Sequence, residues 1–299
     1  MATTSAEARI ALDETSVRSY IDDGFLVVKG LLADGEIDEL RADLVRLARG
    51  AYPCPGIEPA PGDASDENVL RDILAIHFPH TVSPVMLRYL RHPAIANVLS
   101  GIAGAHLPHW DGRVKGFQSM VFVKPPGFQG QAWHQDEVFI PTRDRSLVGA
   151  WVAIDDATVE NGCLWVLPGS HRTGYLYPLR EHNRPEEFDG APESFGFDDS
   201  EEVAVGLEAG SVLFFNGYLL HRSKPNRSDG YRRTFVGHYL NAWSLLPWRQ
   251  RREAGDLNVA ELDCRRVVAV AGEDPYAWKG FENDADYVYI RHRDRPRIA

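Results

Sequence analysis

The sequence predicts a mainly β fold, a barrel or sandwich with helices on its outside, and three observations carry that expectation. Short β-prone runs bounded by turn residues recur from Gly116 onward: Phe117 to Val123, Val148 to Ile154, Cys163 to Leu167, Gly210 to Phe215 and Arg232 to Leu240. That is the texture of an all-β core. The first third instead repeats its apolar residues at helical spacing. Composition is that of a folded globular chain, since 44% of the 299 residues are hydrophobic and 25% charged, which leaves disorder and fibrous architectures without support.

Taken in order, Thr15 to about Gly50 reads as two helices around a short strand. Ser16 to Asp22 leads into Phe25-Leu-Val-Val, and Ile37, Leu40, Leu44 and Leu47 mark one face of a helix that begins at Asp34. A loop rich in Pro, Gly and Asp runs from Pro53 to Asp66. A second helical patch spans Ser83 to Gly104, with apolar residues at 86, 87, 90, 94, 95, 98, 99 and 102. After the strand-like run at Cys163, the charged, Pro- and Gly-rich stretch from Arg180 to Glu202 reads as a long inserted loop, a frequent form of lid.

Charge and cysteine usage narrow the function. Acidic residues outnumber basic ones 43 to 32, giving a net charge of −11, so the overall field repels polyanions and nucleic acid is not expected as a partner. Cys54, Cys163 and Cys264 are too few and too scattered for a disulfide framework or a structural zinc site. No stretch approaches the roughly 20 apolar residues of a membrane helix. With neither a signal-peptide pattern at Met1 nor a Ser-Lys-Leu ending at Arg297-Ile298-Ala299, a cytoplasmic protein is expected. Glycine-rich phosphate loops, H-E-x-x-H and G-x-S-x-G motifs are all missing from the sequence.

The sharpest local feature is Trp133-His134-Gln135-Asp136. On a strand, alternation sends His134 and Asp136 to one face. His221 follows 87 residues later, behind the strand-like run from Gly210. Two histidines and one carboxylate on one side of an octahedral ion leave three positions open, the arrangement of non-haem iron(II) oxygenases. An H-x-D tripeptide alone is common, and an isolated histidine is more often a packed residue than a ligand.

The surrounding sequence is more specific. Gln118-Ser-Met-Val-Phe-Val-Lys-Pro-Pro-Gly, Trp133-His-Gln-Asp, Gly149-Ala-Trp-Val-Ala-Ile-Asp-Asp through Asn161-Gly-Cys-Leu-Trp-Val-Leu-Pro-Gly-Ser-His, His221-x-Ser223 and Tyr231-Arg232 follow one another in order. With the opening Tyr20-Ile-Asp-Asp-Gly-Phe-Leu-Val-Val-Lys-Gly, they resemble the phytanoyl-CoA dioxygenase family over roughly residues 15 to 245. The resemblance implies a double-stranded β-helix, or jelly roll, of the cupin kind, in one domain over 1–299. Its mostly helical N-terminal part would run to about 110, its jelly-roll core from about 116 to 245, and a C-terminal extension over 246–299. It also implies an Fe(II)- and 2-oxoglutarate-dependent dioxygenase that consumes O2, releases succinate and CO2, and hydroxylates an aliphatic C–H of a small-molecule or acyl substrate.

By motif position, His134, Asp136 and His221 would be the iron ligands, and the carboxylate of Asp136 would favour oxygen over halide transfer. Arg232 matches the family arginine that anchors 2-oxoglutarate, Ser223 its hydroxyl partner, and Met120 and Trp151 the cosubstrate pocket. Gln118 and Lys124, alternating with Met120, are weaker candidates for that pocket or for the substrate. Arg233 competes with Arg232: Thr234, Val236 and His238 share the face of one, Phe235 and Tyr239 that of the other. Periodicity leaves this open, and family spacing favours Arg232.

Blander readings stand beside these. Trp151, Met120 and Cys163 also fit as core, and Asn161-Gly162 fits as a tight turn. The remaining histidines, including the His77-x-x-His80 and His106-x-x-His109 pairs, are expected to be structural or to line the mouth. Arg172, Arg180, Arg184, Arg222 and Lys224 are candidates for an anion-binding patch, and Phe117, Trp133, Phe139 and Ile140 for an apolar wall. A non-catalytic jelly-roll metal- or ligand-binding protein is the alternative function, and a metal hydrolase, which needs no Arg232, a third. Oligomeric state is not legible.

Overall fold

Local rules set the first elements. Asp13 accepts a hydrogen bond from the Ser16 backbone N–H (2.7 Å) and caps helix α1 (Glu14–Asp23), which Gly24 ends in a left-handed conformation at φ 85. Strand β1 (Phe25–Val28) follows at once, and helix α2 (Asp34–Ala48) buries the expected Ile37, Leu40, Leu44 and Leu47. A short helix α3 (Asp66–Leu70) leads into strand β2 (Ile73–His77). The expected helical patch over 83–104 is two helices, α4 (Pro84–Leu90) and α5 (Pro93–Ile102). Pro93 lacks an N–H and disfavours helical backbone at His92, so it ends one helix and starts the next.

The remaining strands are β3 (Val114–Lys124), β4 (Gln131–His134), β5 (Val148–Ala153), β6 (Leu164–Val166), β7 (Leu179–Arg180), β8 (Glu193–Ser194), β9 (Val203–Val205), β10 (Val212–Asn216), β11 (His221–Ser223), β12 (Arg232–Asn241), β13 (Val268–Ala271) and β14 (Tyr289–His292). The computed structural model describes residues 12–54, 57–58, 62–248, 261–283 and 287–292. Parts of the Pro53–Asp66 loop and of the C-terminal extension lie outside the described residues.

The strands form a large antiparallel sheet in the order β1-β10-β5-β12-β3-β2-β14, with β13 also on β3, and a smaller one in the order β4-β11-β6-β9. This is the expected jelly roll, mostly β with helices outside. Alternation on the large sheet feeds two apolar clusters. Phe117, Val121, Val123, Phe235 and Tyr239 point outward to meet Leu40, Leu44, Val98, Leu99 and Ile102 of the helices. Trp151, Leu213, Phe215 and Val236 point inward and meet Leu164, Val166 and Val205 of the small sheet. Sequence reading missed β2, in a third read as mostly helical, and the pairing of β13 and β14 with the large sheet. The stretch from Arg180 to Glu202 is tied down by the β7–β8 hairpin and by Arg180 and Arg184 on Glu193. Among the described residues, no helix is long and apolar enough to cross a membrane.

The His77-x-x-His80 pair is not helical. His77 ends β2 and stacks on Tyr289, while buried His80 contacts the Ser119 hydroxyl through Nδ1 (2.7 Å). Burial pushes the His80 imidazole down to about 4 from 6.5. As pH falls below 6.5 the unfolded chain takes up this proton before the folded one does, so stability is lost between pH 6.5 and about 4. Urea titrations at pH 7 and pH 5 are expected to show the wild type losing about 1–2 kcal/mol more than His80→Asn over that interval. Equal losses would acquit His80.

Candidate metal centre

His134 closes β4, and His221 opens β11 directly opposite it in the antiparallel register. The two rings lie 4.1 Å apart between centroids. Each ring is oriented the same way: Nδ1 of His134 meets the Ala132 carbonyl at 2.8 Å, and Nδ1 of His221 meets the Leu219 carbonyl at 2.9 Å. A carbonyl only accepts, so Nδ1 carries the proton and Nε2 keeps its lone pair for a metal.

Strand β4 stops at His134, and Asp136 opens the short 3-10 turn Asp136–Val138. Gln135 between them is still extended, at φ −124 and ψ 128, so His134 and Asp136 share a face as alternation predicts. The Asp136 Oδ1 lies 3.7 Å from Nε2 of both histidines, too far for a hydrogen bond. All three ligand atoms sit within 4.8 Å of one another, and among the described residues no other such group of three occurs. They surround a point instead of bonding each other, which suits a divalent ion held by two imidazoles and a carboxylate.

The second oxygen of Asp136 is taken. His238, buried on β12, meets Oδ2 at 2.9 Å through Nε2. Sequence reading left His238 as structural, although its place on the Arg232 face pointed inward. Burial alone would raise the Asp136 carboxyl, but His221, His238 and His134 around it hold it well below the ordinary carboxylate range. Burial, reinforced by His221, pushes His134 down to about 4. Both groups are thus in the ligand form at neutral pH. Gln135, unflagged by the sequence beyond its motif, is fully buried and ties this strand to its surroundings. Its Nε2 donates to the Tyr175 and Tyr218 carbonyls (3.0 and 2.7 Å), and its Oε1 accepts from the Tyr177 N–H (2.8 Å).

Further along the same inner face of β12 stands Arg232. It is buried, lies 5.3 Å over the Trp151 ring, and reaches only the Thr234 hydroxyl, at 3.4 Å. Its Nε has no hydrogen-bond partner. Burial pushes the guanidinium down to about 10. Arg233 faces the other way and is engaged by Asp155, with Nε and Nη2 each at 2.7 Å from a carboxylate oxygen. Lys124, paired across from Arg232 in the β12–β3 register, is buried as well. Desolvation and the Arg232 charge push its ammonium well below the usual range. Two buried basic side chains side by side, with no carboxylate on Arg232 among the described residues, suit an anion.

Ser223 is buried on β11, and its Oγ accepts from Lys124 Nζ and from the Gln131 N–H, both at 3.1 Å. Met120 and Trp151 belong to the inner apolar cluster, and Gln118 lies opposite His238 across β3 and β12. Cys163 is buried in the same cluster. Two other groupings are not brought together here. Phe117 and Ile140 lie in the outer cluster, and Trp133 turns its ring to Phe197 and its Nε1 to Asp199, so of the expected apolar wall only Phe139 stands by His134, ring centroids 6.5 Å apart. The expected basic residues are engaged by the protein's own groups: Arg180 and Arg184 share Glu193, Arg222 and Lys224 share Glu202, and Arg172 donates to the Asp22 carbonyl.

Comparison with known proteins agrees with this geometry. The phytanoyl-CoA dioxygenase (PhyH) family model matches residues 20–234. The chain is 30% identical over 237 residues to the peroxisomal phytanoyl-CoA dioxygenase of Rattus norvegicus, covering 74% of this chain and 66% of that protein. It is 34% identical over 139 residues to phytanoyl-CoA dioxygenase of Arabidopsis thaliana, covering 45% and 48%. The matched part thus spans between about half and just under two thirds of these relatives. Among solved structures, the epimerase SnoN in complex with Fe3+, α-ketoglutarate and nogalamycin RO is similar, with a TM-score of 0.58 at 25% identity over 82% of this chain and 88% of that one. EctD from S. alaskensis in its apoform shares the fold at a TM-score of 0.62 and 21% identity over 91% and 90%.

The two arginines should separate in stability measurements without any ligand. Arg233→Met leaves the half-buried Asp155 carboxylate with Arg41, at 3.4 Å, as its ion-pair partner among the described residues, and is expected to cost about 1–3 kcal/mol of unfolding free energy. Arg232→Met removes a buried, unneutralised cation, so the unfolding free energy should hold or rise. Denaturant titration of the two variants checks the order, and a larger loss at position 232 would contradict the assignment of faces.

Proposed function

Because the chain belongs to the phytanoyl-CoA dioxygenase family, matched over residues 20–234, we propose that it is an Fe(II)- and 2-oxoglutarate-dependent oxygenase that hydroxylates an aliphatic C–H of a small-molecule or acyl substrate. The observation that carries this reading is the pairing of a two-histidine, one-carboxylate cluster with an arginine buried inside the same sheet pair and lacking a carboxylate. Iron(II), when bound, supplies the dioxygen chemistry in which 2-oxoglutarate becomes succinate and CO2 as the substrate is hydroxylated. Everything else falls to the chain.

His134 and His221 hold the metal through Nε2, their Nδ1 protons being fixed on backbone carbonyls. Asp136 supplies one oxygen because His238 occupies the other. Its carboxylate fills the third protein position, so we read oxygen transfer and not halide transfer. Arg232 binds the distal carboxylate of 2-oxoglutarate, its planar guanidinium offering a two-pronged contact that a lysine lacks. Ser223 donates its hydroxyl to the same carboxylate. Trp151 and Met120 close the apolar wall around the cosubstrate and keep water out.

His134→Ala or His221→Ala should abolish Fe(II) binding, followed anaerobically, and 2-oxoglutarate-dependent succinate release, while far-ultraviolet circular dichroism stays native. Full succinate production by either variant would sink the metal assignment.

For the anchor, Arg232→Lys keeps the charge and loses the fork. Hydrogen bonds to charged groups are worth about 1.5–3 kcal/mol, so 2-oxoglutarate affinity should fall at least about tenfold. Arg233→Lys should change it little, and calorimetric titration of both would expose a reversal.

A further inference from the structure

Lys124 was left by the sequence between cosubstrate pocket and substrate, and its contacts are more specific than either. A serine hydroxyl has one proton to donate and two lone pairs to accept with. Both acceptor directions of the Ser223 Oγ are filled, by Lys124 Nζ and by the Gln131 N–H, each at 3.1 Å. Among the described residues, no hydrogen bond donated by that hydroxyl is formed. Its proton therefore points to the one direction left.

The position of Lys124 is itself built. Its Nζ also donates to the Lys224 carbonyl, just after Ser223 in the chain. Gly162, at φ 83, packs against this contact: a Cβ there would stand 2.8 Å from Lys124 Nζ and 2.2 Å from the Lys224 oxygen. The Asn161-Gly162 turn thus needs its glycine for clearance as well as for conformation. Arg232 lies directly across from Lys124 between β12 and β3.

We propose that Lys124 is a positioning residue for the cosubstrate: with the Gln131 N–H it fills the acceptor sites of Ser223, so that the hydroxyl proton is presented to the distal carboxylate of 2-oxoglutarate beside Arg232. This deepens the functional reading above and rests on it. The bound carboxylate in turn supplies the negative charge that this cationic corner lacks and keeps Lys124 an ammonium, hence a donor and not an acceptor toward Ser223.

The test uses the full chain loaded with Mn(II) and titrated calorimetrically with 2-oxoglutarate and with 2-oxobutyrate, a 2-oxo acid that lacks the distal carboxylate. Lys124→Met and Ser223→Ala should each weaken 2-oxoglutarate binding about tenfold and leave 2-oxobutyrate within about twofold. The double variant should lose no more than about threefold beyond either single change, because the two side chains act as one unit. Unchanged 2-oxoglutarate affinity in Lys124→Met, equal losses for both oxo acids, or losses that multiply in the double variant would each overturn the proposal. Should Lys124→Met not fold, Lys124→Gln carries the same comparison. A wild-type protein that binds no 2-oxoglutarate would overturn the functional reading itself; a wild type that binds it while Lys124→Met matches it overturns only this inference.

Discussion

The register between β4 and β11 is the constraint on which the site depends. His134 and His221 are direct cross-strand partners, so their rings share a face and reach one point. A slip of one residue would turn one ring away. Two short strands, of four and three residues, do not enforce such a register by length. Contacts flanking the histidines enforce it instead. Gly130 lies so close to β11 that a Cβ would come within 1.9 Å of the Ser223 carbonyl, and the Gln131 N–H reaches the Ser223 hydroxyl. On the far side, Leu167 and Ser170 hold the Leu220 backbone. The residues that pin the register are in part those assigned to the cosubstrate.

Charge is distributed along the interior with the same economy. Three histidines surround Asp136, while among the described residues Arg232 and Lys124 form no ion pair with a carboxylate. Trp151, Met120 and Val236 lie on the apolar faces between the sheets. Burying an unneutralised cation costs free energy, and evolution of a stable core alone would remove it or pair it, as Arg233 is paired with Asp155. A charge that the fold leaves unpaired inside itself is best explained by a partner that is not part of the chain. Strain of this kind is concentrated at functional sites.

How much of this was legible beforehand follows from which features are local. The faces of α1 and α2 and the main strands declare themselves through spacing, and the His134, Asp136 and His221 pattern stands in the sequence. β2 does not, because five mostly apolar residues fit a buried strand or a helix segment equally well. Asp136 lies just past the end of its strand, yet Gln135 keeps the extended conformation, so the alternation argument carried one residue beyond β4. Arg232 and Arg233 each sit in a regular alternation, and only a distant residue, Asp155, separates them. Phe117 stood among the candidates for an apolar wall, yet it faces the opposite side of its strand from Gln118 and Met120 and belongs to the helix-covered cluster. The link from Lys124 to Ser223 joins residues 99 apart and leaves no periodic trace.

The division between rigid interior and adjustable rim bears on selectivity. His134, Asp136, His221 and Arg232 stand on or at the ends of strands inside the sheet pair, held by backbone carbonyls, His238 and cross-strand register. Phe139, Tyr175 and Leu176, by contrast, are exposed and lie next to the motif on turns and loops. Gln135 joins the two regions, since the side chain between the two motif ligands fixes the backbone at Tyr175, Tyr177 and Tyr218. Under the proposed function, changes at the exposed positions would alter what approaches the metal without disturbing the buried hydrogen bonds beneath. A change at Gln135 would move rim and ligands together. The residues proposed to hold metal and cosubstrate thus stand on the most constrained elements, and the rim is left to side chains whose replacement costs the fold little.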